Sequence, residues 1–97
     1  MNEIVTKYET IFIVDSRLGD EGVDVIVEKF KSLIEANGTI ESVDVWGKRR
    51  LAYPINKMNE GFYVLVNFSA KVDFPAELDR QYRITEGLIR SIIIKKD

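Results

Sequence analysis

Apolar residues recur with two different periods along this chain, and the places where the period changes mark its elements. Tyr8–Val14 (YETIFIV) is a short β-branched and aromatic run, the pattern of a strand. Its near-continuous apolarity suits a central strand buried on both faces. Asp15–Gly19 carries turn residues. From Gly19 or Asp20 the period lengthens. Val23, Ile26, Val27, Phe30, Leu33 and Ile34 follow the i, i+3, i+4, i+7 rule, which predicts a helix with one core-facing stripe. Asp20 and Glu21 fall in its first turn, against the positive end of the helix dipole. Asn37-Gly38 supplies a left-handed stop.

Alternation then returns. Thr39–Leu51 predicts a second strand, with Val43 and Val45 on one face and Ser42, Asp44 and Trp46 on the other. Gly47 is a candidate bulge that would shift the parity beyond it. Ala52–Glu60 reads as a loop, because Pro54 cannot donate to a strand ladder. Gly61–Ala70 (GFYVLVNFSA) is a third strand, with Phe62, Val64, Val66 and Phe68 opposed to Tyr63, Leu65 and Asn67. Asp73 as N-cap and Pro75 in the first turn open a second helix, whose apolar stripe is Pro75, Leu78 and Tyr82. Thr85-Glu86-Gly87 turns the chain into a fourth strand, Leu88–Lys95. The order β-α-β-β-α-β with right-handed crossovers predicts an α+β, ferredoxin-like sandwich. Its four-stranded antiparallel sheet has strand order 4-1-3-2 and both helices on one face. Residues 1–97 are expected to form one such domain.

A sheet covered by helices on one side should be polar on the other in a free monomer. Here it is not. With Thr10 and Phe12 turned to the helices, Ile11 and Ile13 point outward, joined by Tyr63, Leu65, Ile92 and Ile94. Reversed parity would still leave apolar residues outside, because the first and fourth strands are nearly continuous. Such a face is either scattered surface hydrophobes, a homodimer interface, or a docking surface for protein or RNA bases. The aromatic-rich motif of RNA-recognition sheets is missing, which disfavours base stacking across this one.

Charge narrows the function. Fourteen Lys and Arg against sixteen Asp and Glu give a net charge of −2, so the chain does not coat nucleic acid by bulk charge. A local basic patch remains compatible with that balance. There is no cysteine and no histidine, which removes disulfides, thiolate chemistry, the usual zinc ligands and imidazole bases. No pair of carboxylates is marked by its spacing for acid–base work. Gly19 and Gly22 match no phosphate-loop fingerprint. An acylphosphatase-type site would need a basic cradle in the first loop, where Arg17 stands alone. No catalytic residue, metal or cofactor is therefore expected. The N-terminus lacks the pattern of a signal peptide, and no apolar run approaches the roughly 20 residues of a membrane span, so a cytoplasmic location is expected.

Against this background WGKRRLAYPINK, residues 46–57, stands out. On a strand, Lys48 and Arg50 project to one face and Arg49 to the other, a ridge able to meet phosphates on two sides of a sheet edge. Arg adds a planar fork for phosphate. Edge protection by charge explains the triplet equally well.

The same residues carry a resemblance. Trp46-Gly47-Lys48-Arg49-Arg50-Leu51-Ala52-Tyr53-Pro54-Ile55 is similar to the corresponding segment of the bacterial small-ribosomal-subunit protein S-six family. Tyr8-Glu9, Asn37-Gly38, Gly61-Phe62-Tyr63, Arg83-Ile84 and Arg90 fit that pattern too. The resemblance implies a non-enzymatic, ribosome-associated protein that pairs with small-subunit protein S-eighteen. The pair would bind the central domain of the small-subunit ribosomal RNA. On the matching positions it implies RNA contacts at Lys48, Arg49, Arg50 and Tyr53, with Lys7, Tyr8 and Arg90 as further candidates. Ile11, Ile13, Trp46, Tyr63, Leu65, Ile92 and Ile94 become the protein-partner face, and the isolated chain is expected to be a monomer. Some relatives place a second cation beside Arg90, where this chain has Ile89 and Ser91. The alternative is a dimeric small-molecule regulatory module of the same fold.

Overall fold

A computed structural model describes residues 5–55 and 58–96, with side chains over the same spans apart from 52–59. The elements follow the expected order. Strand β1 spans Val5–Val14, helix α1 Gly19–Asn37, strand β2 Gly38–Ile55, strand β3 Met58–Lys71, helix α2 Phe74–Ile84 and strand β4 Leu88–Lys95. The sheet order is β2-β3-β1-β4, with every neighbouring pair antiparallel. This is the ferredoxin-like arrangement and the strand order expected from the sequence, read from the opposite edge.

Both helices lie on the face lined by Thr10, Phe12, Val64, Val66 and Phe68, each of them 0% exposed. Phe30 and Ile34 of α1 and Leu78 of α2 are equally inaccessible and close the core. Phe12, Phe30 and Tyr82 form a tilted aromatic cluster with ring centroids 4.6 to 5.6 Å apart, the offset geometry that ring quadrupoles favour. Thr10 is the one buried polar residue of the described core. Its Oγ1 lies 2.9 Å from the Ile92 carbonyl and 2.9 Å from the Tyr82 hydroxyl. A hydroxyl has one proton, and the carbonyl can only accept. Thr10 therefore donates to Ile92 and Tyr82 donates to Thr10.

Four local expectations are corrected. Gly38 is not left-handed. Its φ of −173° is extended, and it begins β2 opposite Ala70. A Cβ there would run into the Ser69 carbonyl oxygen and come within 3.0 Å of the Ala70 Cβ, so the glycine serves close strand approach. The segment 52–60 is not all loop. β2 continues to Ile55 and β3 starts at Met58, with Ile55 opposite Met58. Pro54 is tolerated because β2 is an edge strand with one unpaired side. Asp73 stands at the N-cap position of α2 as expected, but its side chain makes no capping hydrogen bond. The helix stripe is Phe74, Leu78 and Tyr82, with Phe74 4% exposed and Pro75 only half-buried.

Strand lengths position the basic segment. β1 ends at Val14, opposite Phe62. From Gly61 and Arg49 onward the β2–β3 hairpin runs past β1 as a two-stranded arm. At its root the place of a Gly61 Cβ is taken by Ile13 Cγ2, with Leu51 Cδ2 and Ile89 Cδ1 each 3.6 Å away. Leu51 is 8% exposed. Only a glycine lets these three side chains close over the backbone, and they anchor the arm to the sheet.

Candidate functional site

Residues opposite one another in an antiparallel ladder share a face, so the register defines the uncovered side of the sheet. One row across it is Asp44, Leu65, Ile11 and Ile92; the next is Gly47, Tyr63, Ile13 and Arg90. Glu9 and Ile94 lie beside Asn67 in the row on the other side. All seven residues expected on the partner face are brought together there. Ile92 and Ile94 are 49% and 41% exposed, and Trp46 is 39% exposed. Ile13 has the expected orientation but is 7% exposed, being covered near Gly61. It floors the face rather than presenting itself. A shallow groove of about 440 Å³ lies on this surface, lined among others by Ile11, Tyr63, Arg90 and Ile92.

Trp46 owes its position to a bulge. The register slips between Val45, opposite Val64, and Gly47, opposite Tyr63. Gly47 has φ +80°, a conformation that glycine adopts at little cost. Trp46 lies over Tyr63, with centroids 6.0 Å apart and planes at 17°. Its indole Nε1 donates to Asp44 Oδ2 at 3.1 Å. Beyond the bulge the alternation is reversed. Arg49 pairs with Gly61 and faces the same side as Trp46. Lys48 and Arg50 pair with Phe62 and Glu60 and face the helix side. The helices do not extend that far: Val45, just before the bulge, is 52% exposed. Lys48, Arg49 and Arg50 are all exposed, and none is in a salt bridge with a carboxylate among the described residues. Arg49 Nε donates to the Trp46 carbonyl at 3.3 Å.

The remaining candidates separate. Tyr8 is 6% exposed and stacks on Phe68 at 5.6 Å in the core. Its ring belongs to the hydrophobic interior, which corrects its placement among surface RNA contacts. Lys7 is exposed at the opposite end of the outer face, 3.8 Å from Glu41. Arg90 is exposed opposite Ile13. The side chain of Tyr53 lies outside the described residues. Sequence reasoning missed Leu51 and Gly61 as the root of the arm, although Leu51 stands two residues after Arg49 and so shares its face.

The first loop does not form an anion cradle. Arg17 forks onto Asp15, with Nη2 3.0 Å from Oδ2, and Asp15 also accepts from the Arg17 backbone N–H at 2.9 Å. The guanidinium hydrogen bond holds the Asp15 carboxyl below its usual range and raises Arg17. The cation is thus occupied locally. Among the described residues no three His, Cys, Asp or Glu side chains are grouped to hold a metal, and no helix is long and apolar enough to cross a membrane.

The chain is thus an α+β sandwich with an open apolar sheet face and a basic arm at its edge, surfaces of the kind that binding proteins present. Comparison with known proteins makes the class specific. The family model described as Ribosomal protein S6 matches residues 7–95, and the chain belongs to that family. Small ribosomal subunit protein bS6 of Clostridium perfringens is 54% identical over 92 residues, covering 94% of this chain and 97% of the relative. Its counterpart in Clostridium beijerinckii is 56% identical over 91 residues, covering 93% and 96%. The crystal structure of 30S ribosomal protein S6 from Thermotoga maritima superposes with a TM-score of 0.90 at 33% identity, covering 96% of this chain and 89% of that one. These relatives are structural proteins of the small ribosomal subunit and not enzymes, and the present chain is a ribosomal protein of the same kind.

Proposed function

We propose that this protein helps to assemble the small ribosomal subunit in the cytoplasm by joining two surfaces. Its open sheet face docks small-subunit protein S-eighteen, and its basic β2–β3 arm contacts phosphates in the central domain of the ribosomal RNA. The observation that carries this reading is spatial. Ile11, Tyr63, Leu65, Ile92, Ile94 and Trp46 converge on one face that none of the described elements covers, and Lys48, Arg49 and Arg50 begin where that face ends. A standard protein–protein patch needs about 800 Å² per partner, and the two central rows, apolar on β1 and β3, run across all four strands. Phosphate contact by cations on a narrow arm supplies affinity without requiring a basic protein overall. The net charge of −2 then presents no difficulty, since the protein partner can share the charge neutralisation.

The test is a titration of central-domain RNA with this protein alone and with S-eighteen added. A cooperative gain in affinity from the partner is expected, and no gain would sink the reading. In the triple variant Lys48→Ala, Arg49→Ala, Arg50→Ala, binding should weaken. The slope of log affinity against log salt should also flatten, by about 0.7–0.9 for each phosphate no longer neutralised. An unchanged slope would remove the arm from the RNA interface. The regulatory-module alternative predicts a homodimer that responds to a metabolite in dilute solution. The family to which the chain belongs gives that alternative no support.

A further inference from the structure

The bulge at Gly47 does more than bend an edge strand. Without it, simple alternation would put Trp46, Lys48 and Arg50 on one face and Arg49 alone on the other. With the extra residue, Arg49 joins Trp46 on the partner side, and Lys48 and Arg50 turn away from it. The Arg49 guanidinium is tethered through Nε to the Trp46 carbonyl inside the bulge, beside the indole that lies over Tyr63. Among the described residues its Nη groups have no hydrogen-bond or salt-bridge partner, and the residue is exposed. Arg, Trp and Tyr are the residue types that dominate protein–protein hot spots. A tethered fork is also preorganised to meet a carboxylate or a pair of carbonyl oxygens, with less entropy to lose than a free side chain. Lys48 and Arg50 have the opposite setting. They stand one residue apart on the uncovered helix side of the arm, opposite Phe62 and Glu60, and share no face with the aromatic patch.

We propose that the bulge divides the basic triplet: Arg49 belongs to the protein-docking surface, where it receives a carboxylate or carbonyl group of the docked protein, and Lys48 and Arg50 form the phosphate ridge. This rests on the two-surface reading above and assigns its parts.

The experiment measures two affinities for each single variant: binding to purified S-eighteen without RNA, and the salt slope of binding to central-domain RNA without S-eighteen. Arg49→Ala should weaken the protein–protein affinity about tenfold, the scale of a hot-spot truncation, and leave the RNA salt slope unchanged. Arg49→Lys, which keeps the charge but loses the fork, should recover only part of that affinity. Lys48→Ala and Arg50→Ala should each lower the salt slope by about 0.7–0.9 and leave the protein affinity within about twofold. The division is overturned if Arg49→Ala lowers the salt slope as the other two do, or if it leaves S-eighteen binding unchanged. If wild-type protein binds neither S-eighteen nor RNA, the two-surface reading itself fails, which is distinguishable from an intact wild type whose variants sort differently.

Discussion

The buried Thr10–Tyr82 pair shows how much of this molecule depends on single atoms. Because Thr10 gives its proton to the Ile92 carbonyl and receives one from Tyr82, the two hydroxyls are not equivalent. Tyr82→Phe leaves the Thr10 bond to Ile92 in place and should cost about 0.5–1.5 kcal/mol. Thr10→Val removes both hydrogen bonds and leaves the buried Tyr82 hydroxyl without its acceptor, so it should cost more, about 1–3 kcal/mol. Denaturant unfolding of the two variants checks the order, and equal losses would contradict the donor assignment. Burial also pushes the Tyr82 phenol well above its ordinary range. Glu77 behaves differently. Hydrogen bonds from Arg80 and Gln81 lower it from 4.5 to about 2. A carboxylate depressed in the folded state contributes stability that is complete above its unfolded pKa and fades as pH falls through the folded one. The loss should therefore run from about pH 4.5 down to about 2, and Glu77→Gln should flatten that part of the acid limb. An NMR titration of the Glu77 carboxyl gives the direct reading.

At the scale of elements, the β2–β3 hairpin and its root decide where the cations go. An isolated two-stranded ribbon is marginal in water, and this arm is held by Leu51, Ile13 and Ile89 closing over Gly61. Gly61→Ala forces a Cβ into Ile13 Cγ2. Overpacking of this kind typically costs about 1–3 kcal/mol. The expected signature is local: hydrogen exchange should speed up in the arm before it does in α1 or α2. Uniform loosening of the whole sheet would argue that Gly61 acts through the core instead. The elements themselves were legible because their periods differ. The stripe of α1 and the alternation of β3 are each long enough to exclude the other structure. Tyr8 was misread as a surface contact, although the period of two that turns Thr10 and Phe12 inward turns Tyr8 inward with them. The stop at Gly38 was misread because glycine after a helix signals a left-handed cap as often as it permits close packing. Only Ser69 and Ala70, more than thirty residues away in sequence, distinguish the two.

At the scale of the whole molecule, Trp46 is the single tryptophan and lies half-exposed on the face assigned to the protein partner. Its emission should shift to the blue when S-eighteen docks and stay unchanged when RNA alone binds the arm. A shift with RNA alone would place the RNA on the sheet instead. The sheet order makes this face possible. β1 and β3 at the centre bury one side against the helices, and their apolar outer residues are left beside those of β4 with no described element to cover them.

By itself, the sequence determined the order of elements, the two-faced character of the sheet, the basic triplet and the family, because periodicity and the Gly-x-Arg-Arg-Leu-Ala-Tyr run are local properties that survive without coordinates. Tertiary structure alone decided which cation faces which side. A face assignment is a parity, and one extra residue reverses it for everything downstream. Whether Gly47 is that residue depends on its pairing with Tyr63 and on a φ of +80°, and both are set by the neighbouring strand rather than by the segment that carries the charge.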